Sequence, residues 1–222
     1  MNLIDTHSHI YLKAFNNDRD AVVERAQKNS VNKIFMPNID SGSIPAMMEA
    51  AEKYPETCFP MMGIHPSSVQ EAFEKELETA EKHLETGKFY AVGETGIDLY
   101  RDTTYIKEQE IAFRQHVEWA LRYNLPLVIH IRKSFDEVFR VLEEFSTLPP
   151  GIFHCFGGGF QQAEKAVKMG FTLGIGGVVT FKNAKLAEVV KQVSLEHLVL
   201  ETDAPFLAPD RKSTRLNSSH YS

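Results

Sequence analysis

His7 and His9 stand two residues apart, directly after a short apolar run, in the segment Leu3-Ile4-Asp5-Thr6-His7-Ser8-His9. Alternate side chains of an extended chain share one face. Both imidazoles can therefore close on one divalent cation, and neutral imidazole nitrogens suit zinc-like ions. An isolated His-x-His pair carries little weight, because short motifs recur by chance. The rest of the chain repeats the pattern. His65 follows Met61-Met62-Gly63-Ile64, Glu94 follows Ala91-Val92-Gly93, His130 follows Leu127-Val128-Ile129, His154 follows Ile152-Phe153, and Asp203 follows Val199-Leu200-Glu201-Thr202. Five histidines and two or three acids recurring at the same phase of successive apolar runs point to a metal centre of imidazoles and carboxylates.

The elements that must position these residues follow from periodicity. Helical spacing of apolar residues marks Asp18 to Ser30, Ser43 to Tyr54, Gln70 to Glu85, Ile106 to Tyr123, Phe135 to Phe145, Phe160 to Lys168 and Ala184 to Val193. Between them lie short apolar runs that read as strands: Leu3-Ile4, Lys33 to Asn38, Cys58 to Gly63, Phe89 to Gly93, Leu127 to His130, Ile152 to His154, Thr172 to Ile175 and Leu198 to Glu201. Strands that are apolar throughout and alternate with helices form parallel sheets covered on both faces. Eight of them predict an α/β fold, a closed (β/α)8 TIM-like barrel, in which the C-terminal strand ends converge on one mouth. No repeat or flexible linker divides the 222 residues.

The formal charge of −6 excludes a general nucleic-acid coat protein, whose affinity would rest on a basic surface. Phosphate chemistry, if present, must be local. Cys58 and Cys155 both fall in apolar stretches that read as strands and as reduced core thiols, neither nucleophile nor ligand. With no secretory signal and no apolar run of bilayer length, the chain reads as cytoplasmic, without a membrane partner.

Six ordered motifs resemble the TatD family of metal-dependent deoxyribonucleases, within the wider amidohydrolase-like barrels. They are Asp5-Thr6-His7-Ser8-His9, Gly63-Ile64-His65-Pro66, Val92-Gly93-Glu94-Thr95-Gly96-Ile97-Asp98, Ile129-His130-Ile131-Arg132, His154-Cys155-Phe156 and Leu200-Glu201-Thr202-Asp203-Ala204-Pro205. The resemblance runs to about Pro209 and implies a DNase cleaving DNA phosphodiester bonds from an end with two divalent cations (Zn, Mg or Mn). By that resemblance His7, His9 and Asp203 hold one cation, His130 and His154 the second, Glu94 bridges them, and Glu201 approaches a metal. Two such cations activate a shared water and clamp the attacking and leaving oxygens, with Asp203 and Glu94 as the catalytic carboxylates and Asp203 as proton acceptor. Arg132 and His65 are the candidate substrate-binding residues. Tyr100, Arg101 and Phe156 are candidates for base stacking or phosphate contact. Gly157-Gly158-Gly159 stands where the family commonly has a serine after the phenylalanine.

A barrel of this type runs to about 250 residues and closes with a further loop and helix. Here residues 210–222 have one aliphatic residue and no helical period, and read as a disordered, non-native tail on a hydrolase barrel of residues 1–209 that lacks its final loop and helix. That reading predicts exposed apolar residues among Leu3, Ile4, Val199 and Leu200. Two other functions stay open: an amidohydrolase-like enzyme acting on a C–N or lactone bond, and an inactive truncated fragment. Relatives of the former class often bridge their metals with a carboxylated lysine after the fourth strand, where this chain has Glu94. Oligomeric state is not legible.

Overall fold

The computed structural model describes residues 2–100 and 102–210. Arg101 and the tail from 211 onward lie outside the described residues, and with them two of the readings above. Eight parallel strands alternate with seven helices among the described residues. The strands are β1 (Leu3–Asp5), β2 (Val31–Pro37), β3 (Cys58–Met61), β4 (Val92–Asp98), β5 (Leu127–Arg132), β6 (Gly151–Phe153), β7 (Phe171–Ile175) and β8 (Leu198–Leu200). The helices are α1 (Arg19–Lys28), α2 (Ile44–Lys53), α3 (Phe73–Leu84), α4 (Ile106–Tyr123), α5 (Phe135–Leu142), α6 (Phe160–Lys168) and α7 (Leu186–Val190). Strands pair in chain order as a run of three, β1 to β3, and a run of five, β4 to β8.

Two seams close these runs into a barrel. Between β3 and β4, Met62 bridges Val92, and the Gly93 amide donates to the Met62 carbonyl at 2.8 Å. Between β8 and β1, the Thr6 amide donates to Leu200 O at 3.0 Å and the Asp203 amide to His7 O at 2.9 Å. Asp5 ties the second seam, its carboxylate accepting from the Thr202 amide at 2.9 Å and the Thr202 hydroxyl at 2.6 Å. Burial pushes the Asp5 carboxyl up to about 6, against the hydrogen bonds from Thr202 and His7 that pull it down.

The main core fills the layer between strands and helices. Its largest members include Trp119, Phe113, Phe153 and Phe171, and α5 contributes Val138, Phe139, Val141 and Leu142 from one face. Each such side chain adds about 1.5–3 kcal/mol by leaving water. A separate small cluster of Met61, Ala91 and Val128, with Phe35 against it, lies on the other side of the strands. Val128 shares its face with His130, two residues on, so this cluster plugs the barrel beneath the mouth. On the outer face of the β8–β1 seam Ile4 is 45% and Leu200 58% exposed, while Leu3 and Val199 are half-buried. No helix among the described residues is long and apolar enough to cross a membrane.

Two elements depart from the sequence reading. The fourth strand starts at Val92 rather than Phe89 and continues through Glu94 to Asp98, so Glu94 is within the strand and not at its end. Apolar patterning misses it because Glu94 is buried by imidazoles and the glycines beside it by the backbone of β5. The ladder with β5 slips between Val92 and Thr95, a bulge that re-aims Glu94. The strands pass so closely here that a Cβ on Gly96, whose φ is +136°, would lie 2.1 Å from His130 O. Cys155, read as a strand residue, sits instead in the turn after β6 with φ at 46°.

Candidate metal centre

Six of the sequence-derived residues meet at the C-terminal mouth around one carboxylate, Glu94, which is buried. Its Oε2 faces His7 Nε2 at 3.1 Å and His9 Nε2 at 3.6 Å. Its Oε1 faces His130 Nδ1 at 2.8 Å, His65 Nε2 at 3.6 Å and His154 Nε2 at 3.7 Å. Asp203 Oδ1 closes the first group, 3.8 Å from His7 Nε2 and 3.6 Å from His9 Nε2, and lies 3.8 Å from His154 Nε2. The carboxylate is thus divided, one oxygen to each of two sets of nitrogens. His7 Nε2 and His9 Nε2 approach to 3.3 Å. Two lone pairs cannot face one another at that distance without a proton or a cation between them, so the donors fit a divalent ion.

The outer hydrogen bonds decide which imidazole nitrogens are free. Tyr11 donates its hydroxyl proton to Pro37 O at 2.6 Å, so its oxygen accepts from His9 Nδ1 at 3.1 Å and His9 Nε2 keeps a lone pair. Glu201 Oε2 stands 3.2 Å behind His154 Nδ1 as a charge partner, with Nε2 turned to the centre. Asp98 stands 3.2 Å from His130 Nε2, leaving Nδ1 to face Glu94. Such carboxylate–histidine pairs orient metal-ligating rings. His65 is built the other way. Its Nδ1 accepts from the Ser67 amide at 3.0 Å and the Ser67 hydroxyl at 2.7 Å, so Nε2 carries the hydrogen and acts as a donor. His65 falls within ligand distance of Glu94 and His130, yet its tautomer suits a substrate oxygen.

The electrostatics agree with a site that balances charge internally. Burial alone would raise the Glu94 carboxyl, but the imidazoles of His7, His65 and His154 and the hydrogen bond from His130 hold it well below the carboxylate range. Burial would lower His154, but Glu201, Glu94 and Asp203 push it up to about 10. His130 rises against burial through Asp98 and Glu94, whereas His7 is lowered by burial and by His154. Asp203 stays low despite burial, through His9, His154 and His7. Without a cation His130 and His154 hold protons as counter-charge, which metal binding must displace.

Glu201 reaches the ligand cluster, with a carboxylate oxygen within 4.8 Å of donor atoms of His7 and His154. The same carboxylate braces its surroundings, Oε1 accepting from the Cys155 amide at 2.6 Å and the other oxygen facing His154 Nδ1. Gly174 makes the room, since a Cβ there would lie 2.2 Å from Glu201 Oε2. Phe156 corrects one expectation: it is buried and packs on Phe135 at 5.6 Å, so no base can stack on it. Arg132 and Tyr100 are at the rim, the guanidinium 3.9 Å above a ring that is 54% exposed, with Lys133 Nζ 4.9 Å from the same ring. The sequence reading missed Asp98, Tyr11 and Asp5. Asp98 lies four residues after Glu94 in one strand, and Asp5, His7, His9 and Tyr11 follow at intervals of two, so same-face spacing carried the signal. Cys155, read as no ligand, offers its thiol within 4.8 Å of donor atoms of His154 and Asp203.

The family described as TatD related DNase matches residues 4–222. This chain belongs to the TatD family. It is 35% identical over 221 residues to the uncharacterized metal-dependent hydrolase YabD of Bacillus subtilis, covering 99% of this chain and 86% of that protein. The crystal structure of YjjV, a TatD homologue from Escherichia coli, superimposes with a TM-score of 0.87 at 32% identity, over 94% of this chain and 81% of that one. The 3′-5′ ssDNA/RNA exonuclease TatD of Pantoea ananatis is 29% identical over 198 residues, 88% of this chain and 76% of its own length. The chain is therefore an α/β barrel of a metal-dependent hydrolase family.

Proposed function

We propose that the chain hydrolyses phosphodiester bonds of DNA from an end, with two divalent cations held by the divided Glu94 carboxylate. His7, His9 and Asp203 complete one set of ligands, and His130 and His154 the other. The observation that carries this reading is the assignment of one Glu94 oxygen to each set, at 3.1 Å from His7 and 2.8 Å from His130. Bound there, the cations supply Lewis acidity toward phosphoryl oxygens and a lowered pKa for a shared water.

The chain's own groups do the rest. Asp203 stands beside three ligand nitrogens and takes the proton released by the attacking water. Asp98 and Glu201 keep His130 and His154 aimed inward. His65 donates Nε2–H to a non-bridging oxygen. Arg132, its guanidinium 3.9 Å from the Tyr100 ring centroid, forks onto a phosphate of the strand. The name of the Pantoea relative supports nucleic acid as substrate, and the cationic rim favours a phosphodiester over an amide or lactone.

End-labelled single-stranded DNA, incubated with the metal-stripped protein and then with Mn²⁺, Mg²⁺ or Zn²⁺, tests the reading. Metal-dependent release of short products from one end is the expected result. Hydrolysis of amide or lactone substrates with DNA untouched transfers the site to the other amidohydrolase-like class. If added metal leaves the melting temperature unchanged, the chain has no site to load.

A further inference from the structure

A cavity of about 690 Å³ opens beside the His9 edge of the centre, with Tyr11, Lys13, Ile39, Asp40, Ala46 and Phe206 in its wall. That volume falls among small-molecule sites, about 300–1,000 Å³. It begins one side chain from the chemistry. The Tyr11 hydroxyl is bonded to His9 Nδ1, and the Phe206 ring meets the His9 ring edge-on with centroids 5.8 Å apart. The wall is mainly apolar, and Phe206 is 50% exposed, a large aromatic face without full cover. Lys13, exposed, and Asp40, half-buried, supply polar groups.

A phosphodiester seated on Glu94 has two ester arms, and the surroundings of the two Glu94 oxygens differ. Beyond the Oε1 side, past His130, lies the cationic rim of Arg132, Lys133 and Tyr100. That surface suits a continuing phosphate backbone. Beyond the Oε2 side, past His9, lies the concave apolar cavity. It suits a planar group with apolar faces and a polar edge.

We propose that this cavity is the subsite for the terminal nucleobase of the strand, held by stacking on Phe206. The proposal rests on the phosphodiesterase reading and adds to it a physical basis for attack from an end: the last base fills the cavity while the strand leaves across the rim.

Calorimetry with two probes carrying the same phosphate, deoxyadenosine 5′-monophosphate and 2-deoxyribose 5-phosphate, tests it on the Mn²⁺-loaded protein. The nucleotide binds about ten-fold tighter or more if the base is stacked. Ala46→Phe, which fills the cavity, brings the ratio close to one, and so does Phe206→Ala, whose exposed position leaves folding intact. Equal binding of the two probes by the unaltered protein overturns the proposal, as does a preference that survives both substitutions. If the preference is present but no diester is cleaved with any metal, the reading of the reaction fails and the subsite stands. If diesters are cleaved and the preference is absent, the subsite alone fails.

Discussion

The two halves of the centre are built by different means. His130 and Glu94 lie on neighbouring strands of a continuous ladder, β4 and β5, where register is set by successive backbone pairs and by the bulge at Gly93-Glu94. His7 and His9 come from the segment just after β1 and Asp203 from the loop after β8, across a seam held by a few bonds, among them those from Thr202 to Asp5. The first half is prepared by sheet formation. The second exists only when the barrel is closed, and its outer face leaves Ile4 and Leu200 in water. Metal affinity in one half is therefore a local property, and in the other it is tied to global stability.

Breaking the group common to both halves has the largest expected effect. Glu94→Gln removes the charge shared by both ligand sets, and hydrolysis of end-labelled DNA falls by more than the 10–100-fold or so that loss of an outer partner costs. Arg132→Ala removes a substrate contact and raises KM by about ten-fold, with kcat little changed. Equal losses in the two variants break the distinction between the shared carboxylate and the rim.

The outer carboxylates sharpen the contrast between halves. Asp98→Asn and Asp5→Asn each weaken metal binding by about 10–100-fold, read by titration with Mn²⁺. Only Asp5→Asn also lowers the melting temperature of the metal-free protein. It replaces one of the two acceptor oxygens at the seam by a donor, a loss of about 1–3 kcal/mol for a buried hydrogen-bonding group, or several degrees in a chain of this size. Matched melting temperatures in the two variants mean that the seam is not the weaker half.

An effect confined to acid pH concerns the core behind the centre. Buried His116 of α4 accepts from the Ile64 amide at 3.0 Å through Nε2 and donates to Ala112 O through Nδ1, so it anchors the chain just before His65 as a neutral ring. Burial pushes it down to about 4. The unfolded chain, with an ordinary histidine near 6.5, takes up a proton that the folded one refuses between these values. The stability His116 confers is complete above pH 6.5 and is lost as pH falls toward 4, by up to about 3 kcal/mol. Denaturation of the native protein and His116→Gln at pH 7 and pH 4 measures this, because the site histidines titrate in both. An advantage of native over variant that is the same at both pH values refutes the assignment.

The same division explains what was legible in the sequence. Strand and helix order was readable throughout, since each apolar run packs against hydrocarbon; α4 and α6 fall where periodicity puts them. The fourth strand was read short because Glu94 is buried against imidazoles and the flanking Gly93 and Gly96 abut the backbone of β5, and hydropathy sees neither kind of neighbour. Candidate donors were legible because they recur after apolar runs. Their outer partners were not: Glu201 looked like one more donor, and spacing does not show that from the notch at Gly174 its carboxylate also braces the Cys155 amide and stands behind His154 Nδ1. Tautomers, which separate His65 from the other histidines, depend on Ser67 and Tyr11, whose roles come from backbone geometry that spacing alone leaves open.

Asp5 and Thr202 are separated by 197 positions. Chains leave the ribosome N-terminus first at about 5–20 residues per second, so roughly 10–40 s pass between synthesis of the two sides of the clasp. Throughout that interval the segment after β1 has its two histidines but neither Asp203 nor β8 to close against. Closure of so long a loop is also a late event in folding, because its entropy must be spent before the contact returns anything. The seam therefore works as a clock: no nascent or half-folded chain holds the complete centre, and hydrolytic competence arrives with the last strand.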